Sequence, residues 1–162
     1  MQIDTAQLRS VVQLAFGRQP PDLSAREAEA IVGIAYLAME IDFDEDPEEL
    51  ADFEVLKRQV CVLARIDPSD IGPVSPLPID HEEHAARIRQ LASRLSWQPS
   101  RELAYVLAYL IIVSDLELDP IESEFLDELQ RALDIDDDRA SRLAEAAAEL
   151  VTPPPDDARM ET

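Results

Sequence analysis

The chain of 162 residues has a single cysteine, Cys61, so it can form no internal disulfide. A lone cysteine in an apolar run reads as a core residue and fits a reducing compartment. Its three glycines, Gly17, Gly33 and Gly72, are scattered. That spacing excludes a phosphate-binding loop and a dinucleotide fingerprint, which need several glycines in one turn. Scarce glycine also argues against a turn-rich β architecture. Aromatics make up 5% of the chain, which leaves Leu, Ile, Val and Ala to do most of the packing. The sequence contains no G-x-S-x-G and no reactive-cysteine signature, so no enzymatic activity is expected. The most apolar stretch, 103–113, falls short of the roughly 20 residues that cross a bilayer. It reads as a buried core helix. The first ten residues lack a hydrophobic signal core, and a cytoplasmic protein without a membrane span is expected.

Positive charge is also scarce. Fourteen Lys and Arg face 35 Asp and Glu, for a net charge of −21, and Lys57 is the only lysine. Such a surface repels phosphate backbones, so no nucleic-acid binding is expected. It also makes the folded state repel itself. Bound cations or a protein partner with a basic surface would relieve that repulsion, although well-solvated acidic helix faces need no ligand at all.

What the chain does have is helix-forming apolar sequence: 46% of it is hydrophobic, enough for one domain with a core. The expectation is an all-α, compact helical bundle of about seven helices, a single domain over 1–151 and a disordered tail over 152–162. The first helix spans 5–16 and stops at Gly17 before Pro20 and Pro21. Ser24 and Glu27 form a capping box for the second, which runs to about 41. Asp46 caps the third, with Pro47 first and Glu49 closing the box. Leu50, Phe53, Leu56, Val60 and Leu63 then make one apolar stripe. The connector 67–79 holds Pro68, Pro73, Pro76 and Pro78 and is expected to be non-helical. Asp80 opens a fourth helix to about 95, and a fifth runs from Pro99 or Ser100 to about 114. Asp119, Pro120 and Glu122 open the sixth as Asp46, Pro47 and Glu49 open the third. The seventh begins within Asp136–Asp138, ends near 151 and is followed by three prolines.

The correspondence between the third and sixth helices is part of a longer one. At an offset of 73 residues Ala35-Tyr36-Leu37 matches Ala108-Tyr109-Leu110, Asp42 matches Asp115, and Asp46-Pro47 matches Asp119-Pro120. Glu29, Glu49, Leu56 and Arg58 match Glu102, Glu122, Leu129 and Arg131 without a gap. Both halves, about 24–66 and 97–134, therefore read A-Y-L-x4-D-x3-D-P-x-E, with an extra acid inside each turn, Asp44 or Glu117. Two pseudo-repeated αα-hairpins, each apolar on one face, would bury those faces against each other. The pattern leaves open whether the acidic turns meet or lie at opposite ends.

This arrangement resembles the TerB-like domains of bacterial tellurite-resistance proteins. Residues 102–150 carry the likeness best and 29–63 a weaker copy; Phe43 and Leu116 stand where the family commonly has Gly. The resemblance implies an all-helical, acidic, cytoplasmic domain tied to stress response, with acidic residues holding a divalent metal.

The residues themselves divide into two kinds. Asp46, Glu49, Asp119 and Glu122 are fully explained as helix caps. Asp42 and Asp115 each sit where a helix is ending, beside the negative end of its dipole, where a carboxylate costs about 0.3–1 kcal/mol. An Asx-turn could explain them; so could a cation. With Asp44 and Glu117, each turn offers the oxygen-rich donors that Ca²⁺ or Mg²⁺ prefers. The loops are not EF-hands: Pro47 and Pro120 stand where Gly is required, and Phe53 and Leu126 where the bidentate Glu belongs. The candidate metal ligands are thus Asp42, Asp44, Asp46, Glu49, Asp115, Glu117, Asp119 and Glu122. The competing reading is an interaction module that docks a basic partner through acidic faces, connector or tail, without metal. His81 and His84, three apart, read as surface residues. Tyr36, Tyr109 and Trp97 read as packing.

Overall fold

Ser24 N–H donates to Glu27 Oε1 at 3.3 Å, and Glu27 N–H donates to Ser24 Oγ at 3.1 Å. This is the capping box expected from the sequence. The computed structural model describes residues 5–17, 23–40, 47–71, 81–113 and 120–151. Among them it has seven α-helices and no strand: α1 (Thr5–Phe16), α2 (Ala25–Glu40), α3 (Pro47–Ala64), α4 (His81–Ala92), α5 (Gln98–Val113), α6 (Pro120–Ala132) and α7 (Asp137–Val151). The all-α bundle is as expected. The tail 152–162 and most of the connector lie outside the described residues.

Local chemistry accounts for where the helices stop. Gly17 takes φ 60° and its N–H donates to Gln13 O at 2.8 Å, which closes α1. α3 and α6 end in the same motif. Arg65 and Asp134 both adopt φ 56°, and Ile66 and Ile135 donate their N–H groups back to Cys61 O and Gln130 O at 3.0 and 3.1 Å. A left-handed non-glycine residue costs about 1–2 kcal/mol; here two backbone bonds at each stop offset part of that cost. α3 has 18 residues and α6 has 13, so the 73-residue register is lost past the end of α6.

Some boundaries differ from the sequence reading. α4 stops at Ala92 rather than near Leu95, because Arg94 and Leu95 bond back to Leu91 O and Ala92 O in a tight turn. Leu95 still reaches the core. α5 starts at Gln98, so Ser100 does not open it but lies buried in its first turn. The connector was expected to be non-helical, yet Pro68–Asp70 forms one 3-10 turn. Asp67 caps that turn by accepting from Ser69 N–H at 2.9 Å and from its hydroxyl at 2.8 Å. Those bonds, the backbone one foremost, hold the Asp67 carboxyl below its usual range. Asp136 caps α7, accepting from Arg139 N–H at 2.7 Å.

α2 and α5 form the centre. α2 packs on α3, α4 and α5, while α5 packs on α1, α2, α6 and α7. Ile31, Ile34 and Leu37 from α2 and Leu103, Leu107 and Leu110 from α5 are fully buried or nearly so. Phe53, Leu56 and Val60 bury the apolar stripe of α3, with Leu63 half-buried beside them. Cys61 is part of the core as expected, and burial pushes its thiol up, which leaves it unreactive. Trp97 packs edge-on against Phe16, and Tyr36 against Phe53.

Gly33 leaves room for Leu91 of α4 against α2: a Cβ there would stand 3.1 Å from Leu91 Cδ2. Its repeat partner is Val106, buried in α5. Gly33→Val is therefore expected to destabilise the fold by about 1–3 kcal/mol through overpacking. Adding Leu91→Ala should recover part of that loss in urea denaturation. Additive losses in the double variant would show that the two side chains do not compete for one space.

Candidate metal centre

Whether the two acidic turns meet depends on the directions of the helices. Leu91 in α4 lies against Gly33 in α2, and Arg94, just past α4, is 3.9 Å from Glu29 near the start of α2. α4 therefore runs antiparallel to α2. α5 begins shortly after Arg94, so α2 and α5 start at the same pole; the contact of Trp97 with Phe16 at the end of α1 agrees with this. At the other pole, His84 in the first turn of α4 lies against Phe125 of α6, with ring centroids 5.5 Å apart, while Ala85 and Arg89 share a groove with Glu128, Arg131 and Ala132 further along α6, so α4 and α6 run in the same direction. α4 starts where α2 ends, so α6 starts there too. The two hairpins thus point the same way, and both acidic turns leave the bundle at one pole.

Helix ends of both signs meet at that pole, since α3, α4 and α6 start where α2 and α5 end. α2 and α5 end there, and neither has a basic residue in its last turn. α4 and α6 end at the opposite pole, and each carries an arginine in its last turn, Arg89 and Arg131. Cations at helix C-termini are the favourable arrangement, worth about 0.3–1 kcal/mol each. α1, α3 and α7 also lack a basic residue in the last turn, so α4 and α6 are the two helices that carry one.

Asp42, Asp44 and Asp46 in 41–46, and Asp115, Glu117 and Asp119 in 114–119, lie outside the described residues. Glu49 is in the first turn of α3, its side chain likewise not described. Glu122, in the first turn of α6, is 6% exposed. Among the described residues no group of three or more His, Cys, Asp or Glu side chains could hold an ion.

No family model, curated protein or solved structure matches the chain.

Three buried polar residues escaped the sequence reading. His84, expected on the surface, is 6% exposed. The signal was present: His84, Ile88, Leu91 and Leu95 recur at spacings of four and three, so the histidine shares the buried stripe of α4. His81 has no described side chain. Glu102 forms an ion pair with Arg139 of α7, and its side chain is 5% exposed. Its repeat partner Glu29 is half-exposed. The difference comes from α7, which covers α5 in the second half. No local signal marks Glu102, because α5 is apolar around most of its circumference. Ser100 is fully buried, with no hydrogen-bond partner for Oγ among the described residues.

Proposed function

We propose that this protein is a non-enzymatic, TerB-like acidic domain that binds a divalent cation, Ca²⁺ or Mg²⁺, at the pole shared by its two repeated turns. The ligand set is drawn from Asp42, Asp44, Asp46, Glu49, Asp115, Glu117, Asp119 and Glu122. The setting is cytoplasmic, in stress response of the tellurite-resistance kind. One observation supports this reading above the rest: α2 and α5 end at the same pole with no basic residue in either last turn. Two acid-rich turns joined to one pole gather carboxylates there, and a hard cation with oxygen ligands would offset their mutual repulsion.

The test is a thermal-unfolding series in Ca²⁺, Mg²⁺ and monovalent salt at matched ionic strength. A cation that binds only the folded state adds about 2.7 kcal/mol when present at a hundred times its Kd, and the melting temperature should rise with it. Asp42→Asn combined with Asp115→Asn should remove the increment. Equal stabilisation by monovalent salt would refute the cation site, leaving a module that docks a basic partner as the better account of the charge.

A further inference from the structure

The repeat predicts a neighbour for α3 that the described structure lacks. In the second half α4 lies along the edge of α6, where Ala85 and Arg89 line a groove with Glu128, Arg131 and Ala132. Subtracting 73 carries that edge onto Val55, Arg58 and Gln59 of α3. α1 is the helix that should seat there, but it packs on α5 and α7 instead. No described helix covers this edge of α3. Val55 is 45% exposed and Val62, one heptad further on, is 74% exposed.

Ala51, Val55, Arg58, Val62 and Arg65 follow one another at spacings of four, three, four and three, and all five are exposed. That is the spacing of a seam along which two helices pack. The charge along α3 is also divided. Its acids lie between Glu48 and Glu54, and from Val55 to Ile66 there is no acid, only Lys57, Arg58 and Arg65.

We propose that this face of α3 binds the same face of a second copy of the chain, with the two helices antiparallel. Antiparallel pairing by a twofold axis is self-complementary. It sets the basic rear half of each helix against the acidic front half of the other. Val62 then meets Ala51 of the second copy, and Arg58 lies beside Glu54 of the second copy. A parallel pairing would stack base on base and acid on acid. The net charge of −21 opposes approach at long range, whereas the seam is short-range and partly apolar. Added monovalent salt should therefore tighten the dimer by screening the general repulsion.

Sedimentation of the full chain over a range of concentrations, at low and moderate NaCl, tests the proposal. The expected result is a reversible monomer–dimer equilibrium that shifts toward dimer with salt. Val62→Glu should weaken it by about tenfold or more while leaving the helical signal and melting temperature of the monomer unchanged, since Val62 is exposed. Arg58→Glu alone should weaken the dimer, and Arg58→Glu with Glu54→Arg should restore it. A chain that stays monomeric throughout, or a dimer indifferent to Val62→Glu, overturns the proposal. Failure of the double variant to recover overturns the antiparallel pairing.

Discussion

Arg139→Leu is expected to lower stability by about 2–4 kcal/mol, because it leaves the buried Glu102 carboxylate without its counter-charge. Breaking a fully buried pair costs about 3–5 kcal/mol; the lower range is used because the Arg139 side chain is 37% exposed and keeps some solvent. For a chain of this length the loss corresponds to a fall of ~4–16 °C in melting temperature. Removing both charges, Glu102→Leu with Arg139→Leu, should recover most of the loss, since an apolar pair in the same space carries no desolvation penalty. The repeat supplies the control. Glu29→Leu loses only a long, half-exposed contact with Arg94 and should change stability by about 0.5 kcal/mol or less. Comparable losses at Glu102 and Glu29 would mean that the docking of α7 does not set the value of this pair.

The second large effect concerns the centre of the bundle. Leu107→Ala is expected to cost about 3–5 kcal/mol and Ile34→Ala somewhat less. The two residues are repeat partners, and both are fully buried. They differ in surroundings: α5 is enclosed by α1, α2, α6 and α7, whereas α2 packs on α3, α4 and α5. A cavity in the more enclosed helix has less freedom to collapse, and residual cavity volume raises the cost. Against a total stability of about 5–15 kcal/mol, either change is severe. Urea midpoints at unchanged slope measure the difference; a larger loss at Ile34 would contradict this view of the centre.

Much of the fold is written in short-range chemistry. Ser24 and Glu27, Pro47, Gly17 and Asp136 each announce a helix boundary by a mechanism that acts within one turn, and the structure places the boundaries there. The stops at Arg65 and Asp134 were less visible, because neither residue is the glycine that usually marks a left-handed cap. The common pole of the two turns depends on how α4 packs on α2 and α6, which involves contacts far apart in sequence. The repeat shows that the halves match and is silent about how they are related in space. Glu102 was illegible for a similar reason: its burial is decided by α7, more than thirty residues away. His84 was legible, since its place on the stripe of Ile88 and Leu91 outweighs the acidic company of Glu82 and Glu83.

The codirectional hairpins also constrain the joint between them. α3 descends from the acidic pole, and Ile71, buried just beyond its end, lies near the opposite pole; α4 starts again at the acidic pole. Ile71 and His81 therefore stand about the length of α4 apart, ~18 Å for its twelve residues. The ten Cα–Cα steps between them reach at most about 33–36 Å. Deleting more than about five of the intervening residues would exceed that reach and pull α4 out of its seat between α2 and α6, whereas insertions there cost little.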